Sequence, residues 1–388
     1  MEGGHWAMNS GTSRRKFLTV AMSVPVSGLA SPSRSPLEGS VAAEPAAPSY
    51  RVLGRTGLKV TPVGFGCLVT SDPSVIRQAV DACINFFDTA RSYQRGNNER
   101  MVGVALRGLR DKVILGTKSQ ASTRTQALAD LETSLEALGT DHVDIWYMHS
   151  KDSPAAISDE LIAAFIDAKR QGKARFIGVS THDPNAVADR IIEAGNIDVV
   201  LFTYNFTMGT SRDAAIEKLR KAGIGLVAMK VMAPATAGKP SSLPQMKTSA
   251  GPLAALKWVI KNPAISSTVP SMVDTDQLEI NVRAMSEKFS EADAKILAQL
   301  NEEIRPVYCR MCFQCRSQCP KGVPVADTLR FLSYADFYGQ FALGREHFLR
   351  LPEQIRTVRC NECSSCAVRC PNGVHVAERL VRAQELFG

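Results

Sequence analysis

Eight of the ten cysteines lie between Cys309 and Cys370, in two copies of one spacing. The first copy reads Cys309-Arg-Met-Cys312-Phe-Gln-Cys315-Arg-Ser-Gln-Cys319-Pro320, and the second Cys360-Asn-Glu-Cys363-Ser-Ser-Cys366-Ala-Val-Arg-Cys370-Pro371. Three thiolates at every third position can wrap an iron–sulfur cube corner by corner. The fourth, set one residue further on and followed by proline, lies beyond the reach of its own three. Zinc is the weaker alternative, because structural zinc sites usually take two separated C-x2-C pairs, and no histidine lies inside either run. Disulfides suit small secreted domains rather than the tail of a 388-residue chain.

The doubled run resembles that of bacterial two-cluster ferredoxins, in which the fourth cysteine serves the other cluster. The resemblance implies one [4Fe–4S] cluster on Cys309, Cys312, Cys315 and Cys370, and a second on Cys360, Cys363, Cys366 and Cys319. Cubes held by four thiolates are anionic, so the neighbouring Arg310, Arg316, Lys321, Arg359 and Arg369 are placed to stabilise them. Between the runs, Val323–Leu351 reads as helical, with apolar residues at Val325, Leu329, Leu332, Phe337 and Phe341. Its aromatics, among them Phe331, Tyr334 and Tyr338, are expected against the clusters or in ordinary packing on the rest of the chain.

Upstream, from Arg51 to about Met285, short apolar runs alternate with amphipathic stretches. The expected strands are Pro62–Cys67, Phe86–Thr89, Val113–Thr117, Val143–Met148, Phe176–Ser180, Val199–Tyr204, Gly225–Lys230 and Ser267–Pro270. The expected helices include Val75–Ile84, Arg124–Leu138, Ile157–Arg170, Pro184–Ala194, Ser211–Ala222 and Pro252–Lys261. Continuous apolar strands separated by helices point to a parallel sheet buried on both faces. Eight such units fit an α/β fold, a (β/α)8 TIM barrel. An open doubly wound sheet is the second choice, since no G-x-G-x-x-G follows the first strand. Ser290–Ile304 reads as a helix joining the barrel to a small, mostly helical two-cluster ferredoxin-like domain.

In such a barrel the strand C-termini carry the chemistry. Asp88 ends the second strand, with Tyr93 in the loop after it. Lys118 ends the third strand and His149 the fourth. With Gly-Arg-Thr-Gly-Leu-Lys-Val (54–60), Asp88-Thr-Ala-Arg-Ser-Tyr93 and Ile-Gly-Val-Ser (177–180), the barrel resembles the aldo/keto reductases. The likeness runs from about Tyr50 to the end, toward the exported branch with a C-terminal ferredoxin module.

The resemblance implies a catalytic tetrad of Tyr93, Asp88, Lys118 and His149. Tyr93 would give the carbonyl oxygen its proton, with its pKa brought down by the Lys118 cation. Asp88 would hold Lys118, and His149 would align the substrate oxygen. It further implies NADP or NAD as cofactor, near Ser180, Ser271 and Asn281; Lys230, outside the family pattern, would replace part of the charge missing there. The chain departs from the family where Leu201 replaces a glutamine, where Met229 leaves no aromatic to stack, and where Ser271 and Gln277 are not basic. Cys67 and Cys83, outside the spacing, are expected to be buried and unreactive. The loop Ala233–Ala250 is expected to influence substrate choice.

At the other end, Ser13-Arg14-Arg15-Lys16-Phe17-Leu18 runs into an apolar stretch to Ala30, which resembles a twin-arginine export signal. The stretch is too short for a membrane span, so no stable span is expected after cleavage. Residues from Ser31 to Ser49 read as a Pro/Ser/Ala-rich linker. The expected organisation is a signal and linker over 1–49, a barrel with its joining helix over 50–304, and the cluster domain over 305–388. The formal net charge of +8 comes without a long basic block or a nucleic-acid motif, so no nucleic acid is expected.

These features together imply an exported, periplasmic oxidoreductase acting on a small carbonyl or alcohol. Its expected partners are the twin-arginine export machinery and an electron-transfer protein. The alternative is an electron-transfer or binding protein whose barrel no longer performs nicotinamide-dependent catalysis.

Overall fold

The computed structural model describes residues 49–232 and 250–388. The expected export signal and nearly all of the loop from Ala233 lie outside the described residues. A short antiparallel hairpin comes first, β1 (Arg51–Val52) with β2 (Lys59–Val60). Eight strands follow: β3 (Phe65–Gly66), β4 (Phe86–Asp88), β5 (Ile114–Ser119), β6 (Val143–Met148), β7 (Ala174–Thr181), β8 (Val199–Thr203), β9 (Gly225–Met229) and β10 (Ser267–Thr268). Each pairs in parallel with its neighbour in chain order. Parallel bridges Val63–Thr268 and Gly66–Ser271 return β10 to β3, so the sheet closes on itself. The barrel expected from the alternation is present.

Around it lie α1 (Pro73–Asp81), α2 (Asn97–Leu106), α3 (Arg124–Leu138), α4 (Asp159–Arg170), α5 (Pro184–Ala194), α6 (Asp213–Lys221), α7 (Ala250–Ile260) and α8 (Thr275–Ser286). Local signals set their ends. The Thr123 side chain accepts from Gln126 N at the start of α3, and Gly139, left-handed at φ 64°, ends that helix. On α4, Leu161, Ile162, Phe165 and Ala168 are buried while the acidic first turn faces out. Phe165 stacks on Trp146 of β6 with ring centroids 3.6 Å apart. Truncating either to alanine would cost about 3–5 kcal/mol.

The strands feed two cores because successive side chains alternate sides. On β6, Trp146 points to the helices, while Ile145 and Tyr147 fill the barrel. On β8, Leu201 points inward and Phe202 outward. The first hairpin plugs the barrel floor with Leu53, Leu58 and Val60. Two glycines make room. A Cβ on Gly54, itself at φ +49°, would sit 2.2 Å from Gly225 N, and one on Gly178 would sit 2.2 Å from the Tyr147 ring.

After the barrel come α9 (Glu291–Ile304), α10 (Val325–Asp336), α11 (Phe341–Leu349), α12 (Glu353–Arg356) and α13 (Val376–Phe387). A full capping box between Ser290 and Asp293 starts α9. The stretch expected as one helix is two, broken at left-handed Gly339 (φ 65°), where Gln340 N donates to Tyr334 O at 2.7 Å. Nearly every residue of α10 is buried. It is packed by α11 and α13 on one side and by the barrel mouth on another, which fits its lack of a polar face. Among the described residues, no helix is long and apolar enough to cross a membrane.

Candidate active site and metal centre

Three of the four tetrad residues stand on strand ends. Asp88 closes β4, Lys118 is the penultimate residue of β5, and His149 follows β6. Tyr93 opens a tight turn after β4 in which Gln94 and Arg95 both take positive φ. That strained turn brings its hydroxyl back over the barrel. Lys118 Nζ donates to Asp88 Oδ2 at 2.5 Å, to Thr89 O at 2.6 Å and to Tyr93 Oη at 3.3 Å. The Tyr93 and His149 rings meet edge to face at 5.8 Å. Asp88 and Lys118 are 2% and 1% exposed, so this is a buried ion pair, held further by the Thr89 carbonyl. The sequence places these four residues together, and the fold does the same.

Their electrostatics differ from the expectation in one respect. Burial, reinforced by the negative charge of Asp88, pushes the Tyr93 hydroxyl well above the ordinary tyrosine value rather than below it. Lys118 does not reverse this because its charge is already matched by Asp88 at 2.5 Å. Burial also pushes Lys118 down and Asp88 up, each opposed by the other's charge. His149 is held well below its usual value by burial and then by the nearby Lys118 cation. It is therefore a neutral imidazole across the ordinary pH range, and its Nδ1 is buried without a partner among the described residues.

A cavity of about 390 Å³ opens above the tetrad. Barrel residues Tyr93, His149, Lys230 and Ser271 form one wall, and Arg330 and Tyr334 of α10, Tyr338 of the turn after it and His347 of α11 form the other. The expected nucleotide contacts divide. Ser271 and Lys230 reach the cavity, whereas Ser180 and Asn281 do not line it. The Ser180 hydroxyl accepts from Ser150 N at 2.8 Å and so braces the loop after β6. Asn281 is 1% exposed on α8, and its Nδ2 has no partner. Leu201 belongs to the apolar barrel interior. Gln277 reaches the cavity, yet its amide accepts from Val273 N and donates to Asp274.

The sequence reading missed the second wall. Arg330 and Tyr334, four apart, share one stripe of α10, and Tyr338, four further on, lies in the turn just past its end. That stripe was the available signal. Tyr334 and Tyr338 face the barrel cavity, in keeping with packing on the barrel rather than against the clusters. Aliphatic side chains take that place instead.

Val325, Leu329, Val374 and Val376, with Phe313, surround a hollow also lined by Cys309, Cys312, Cys315 and Cys370. These are the four cysteines that the crossed assignment puts on one cluster. Cys319 and Cys363 are likewise near enough for their charges to bear on Cys360, together with Cys366. No disulfide joins any of the eight. The thiols ring a hollow rather than a point: among the described residues, no three His, Cys, Asp or Glu converge closely enough for one metal ion. Asn372 Nδ2 donates to Cys312 Sγ at 3.3 Å and Met311 N donates to Cys309 Sγ at 3.4 Å. Such hydrogen bonds to sulfur stabilise thiolates and tune a cluster. Met311, Phe313 and Ser317 take positive φ and curl the first run around the hollow. The donor set fits iron–sulfur clusters.

Of the two remaining cysteines, Cys67 is buried with its thiol pushed up by burial. Cys83 is exposed, contrary to expectation. It sits left-handed at φ 66° just past the end of α1, where the chain turns away from the core.

One buried cation ties the cysteine loop to the barrel. Arg212, 1% exposed at the start of α6, donates to Met311 O at 2.6 Å and to His182 O at 3.0 Å, beside Asp183. We expect Arg212→Met to destabilise the fold by about 3–5 kcal/mol, because Asp183 and two carbonyls lose a buried partner. Chemical denaturation checks this, and cluster absorbance should bleach at lower denaturant than in the wild type. An unchanged midpoint would mean that the contact is dispensable.

Residues 71–249 match the model of the aldo/keto reductase family, and residues 308–375 match that of a 4Fe-4S dicluster domain. L-galactose dehydrogenase of Arabidopsis thaliana is 29% identical over 66% of this chain and 94% of its own. L-glyceraldehyde 3-phosphate reductase of Escherichia coli is 24% identical over 66% of this chain and 92% of its own. Among solved structures, an aldo-keto reductase from Bacillus halodurans in its holo form gives a TM-score of 0.56 at 24% identity, covering 66% of this chain and 96% of that one. An aldo/keto reductase from Klebsiella pneumoniae, in complex with NADP and acetate, gives 0.56 at 21% identity, covering 65% and 95%. At these identities the structural likeness is one of fold.

Proposed function

We propose that this oxidoreductase, which carries an aldo/keto reductase domain followed by a 4Fe-4S dicluster domain, interconverts a small carbonyl compound and its alcohol at Tyr93. It holds two [4Fe–4S] clusters on crossed sets of cysteines. The paired arginines Arg14 and Arg15 before an apolar stretch support export through the twin-arginine route to the periplasm. The observation that carries the reading is the convergence of Tyr93, Lys118, Asp88 and His149 under a cavity whose far wall belongs to the cluster-bearing tail.

In the reductive direction the Tyr93 hydroxyl donates its proton to the carbonyl oxygen. The neutral His149 imidazole donates an N–H to the same oxygen and fixes its approach. The Lys118 ammonium, 3.3 Å from the phenol, stabilises the phenolate left behind. Asp88 and the Thr89 carbonyl keep that ammonium in place. Arg330, Tyr334 and Tyr338 cover the reacting carbon against water.

When bound, NADPH or NADH supplies hydride, and the clusters carry single electrons to or from a partner protein. Ser271, which lines the cavity, is the residue placed to meet a nucleotide. The absence of basic residues at Ser271 and Gln277, and the engagement of Gln277 within its own turn, favour a second reading. In it, the protein transfers electrons or binds a ligand without nicotinamide.

An anaerobic titration with NADH and NADPH, following cluster absorbance, separates the two. We expect one nucleotide to bind and to be oxidised when a carbonyl acceptor is added; bleaching without acceptor would show that its two electrons also reach the clusters, one to each. No binding of either nucleotide would favour the second reading.

A further inference from the structure

The cavity carries positive charge that the tetrad does not use. Lys230 follows β9 in a left-handed conformation (φ 55°) that lysine rarely adopts, with its carbonyl held by Asn205 Nδ2 at 3.0 Å. Its Nζ donates to Tyr334 Oη at 3.2 Å and lies 4.4 Å from the Tyr334 ring centroid. Among the described residues, no carboxylate neutralises it. Arg330, one helical turn before Tyr334, is 8% exposed, and among the described residues its Nε is buried without a partner while one Nη holds Asp327.

Asp88 is paired with Lys118 and Glu346 with Arg350, while Asp327 and Asp152 offset part of the Arg330 charge and leave Lys230 as the cation without a carboxylate among the described residues. Burial pushes the Tyr334 hydroxyl up, but Lys230 and Arg330 outweigh that and bring it below the usual tyrosine value. The surroundings of Tyr334 thus favour negative charge. Tyr334 is also near enough for its charge to act on Tyr93.

We propose that Lys230, Tyr334 and Arg330 form an anion subsite shared between barrel and tail, which binds a carboxylate or phosphate group on the substrate whose carbonyl lies at Tyr93. This deepens the carbonyl–alcohol reading and rests on it. It also gives the cluster-bearing tail a place in substrate recognition. Two of the three groups come from α10, so the barrel alone supplies one of the three.

The test is calorimetry on the anaerobic holoprotein with malonate, its neutral diamide malonamide, and inorganic phosphate as probes. We expect an anionic probe to bind at least ~10-fold more tightly than malonamide, as charge-assisted hydrogen bonds to a buried anion imply. Lys230→Met should weaken it at least ~10-fold and Tyr334→Phe by less, with cluster absorbance unchanged in both. The tighter of malonate and phosphate identifies the substrate's anionic group. Excess NADP should leave the anion's affinity within about threefold.

Equal binding of charged and neutral probes, an affinity unmoved in Lys230→Met, or competitive displacement by NADP would each overturn the proposal. The last result would assign the cations to the nucleotide. Turnover is not read, so a failure of Tyr93 chemistry and a failure of this subsite show up in separate experiments.

Discussion

Replacing Tyr93 by phenylalanine is expected to lower turnover by at least ~100-fold while leaving iron content unchanged. The substitution removes one oxygen atom and little volume. Lys118 keeps its bonds to Asp88 and Thr89, so the ion pair beneath the cavity survives. What is lost is the proton donor. Unchanged turnover would remove Tyr93 from that role.

The pH profile adds a second constraint. Reduction needs the protonated phenol, which is complete below the tyrosine pKa and is lost as pH rises through it. Burial holds that pKa above the ordinary value of about 10. The wild-type reduction rate should therefore stay level from neutrality to about pH 10, apart from any loss of stability. His149, held far below its usual value, should add no limb near pH 6.5. A fall in reduction rate between pH 7 and 9 would show that bound cofactor or substrate reverses the effect of burial.

The second large effect concerns the cysteines. If the ligands are crossed, Cys312 and Cys370 serve one cluster, and Cys366 serves the other. Cys370→Ser alone should lose about half of the iron. Adding Cys312→Ser should remove little more, because that cluster is already gone. Adding Cys366→Ser instead should remove nearly all of it. Ligation within each consecutive run predicts the reverse pairing. The hollow lined by Cys309, Cys312, Cys315 and Cys370, without Cys366, is the structural reason to expect the crossed result. Iron analysis and visible absorbance on the three proteins decide between the two.

Features set by local spacing could be read from the chain. The cysteine runs are one such case, since ligand reach depends on a few residues. The strands are another: β6 has the bounds that its apolar run gives, and so does α3, between Thr123 and Gly139. The four residues that the resemblance implies as a tetrad meet because strand ends in a closed parallel barrel share one rim, to which the turn after β4 returns Tyr93.

What escaped depends on contacts far apart in sequence. Nothing local says that Tyr334 meets Lys230, 104 positions away. Nor does the sequence say that the Ser180 hydroxyl is taken by Ser150 N. The effect on Tyr93 was misjudged for a related reason. A cation beside a phenol lowers its pKa only if the cation's charge is not already matched, and the 2.5 Å Asp88 contact matches it. Cys83 was misplaced because a two-residue overshoot past α1 turns a side chain from core to solvent.

Reductase geometry and a 4Fe-4S dicluster tail meet in one molecule. The most direct test of that union is native mass spectrometry of protein purified without oxygen from its own cells, with iron, sulfide, zinc and nucleotide measured on the same sample. The account predicts a brown protein with about eight irons and eight sulfides per chain, as two four-iron clusters require. A colourless preparation containing zinc and no acid-labile sulfide would contradict it.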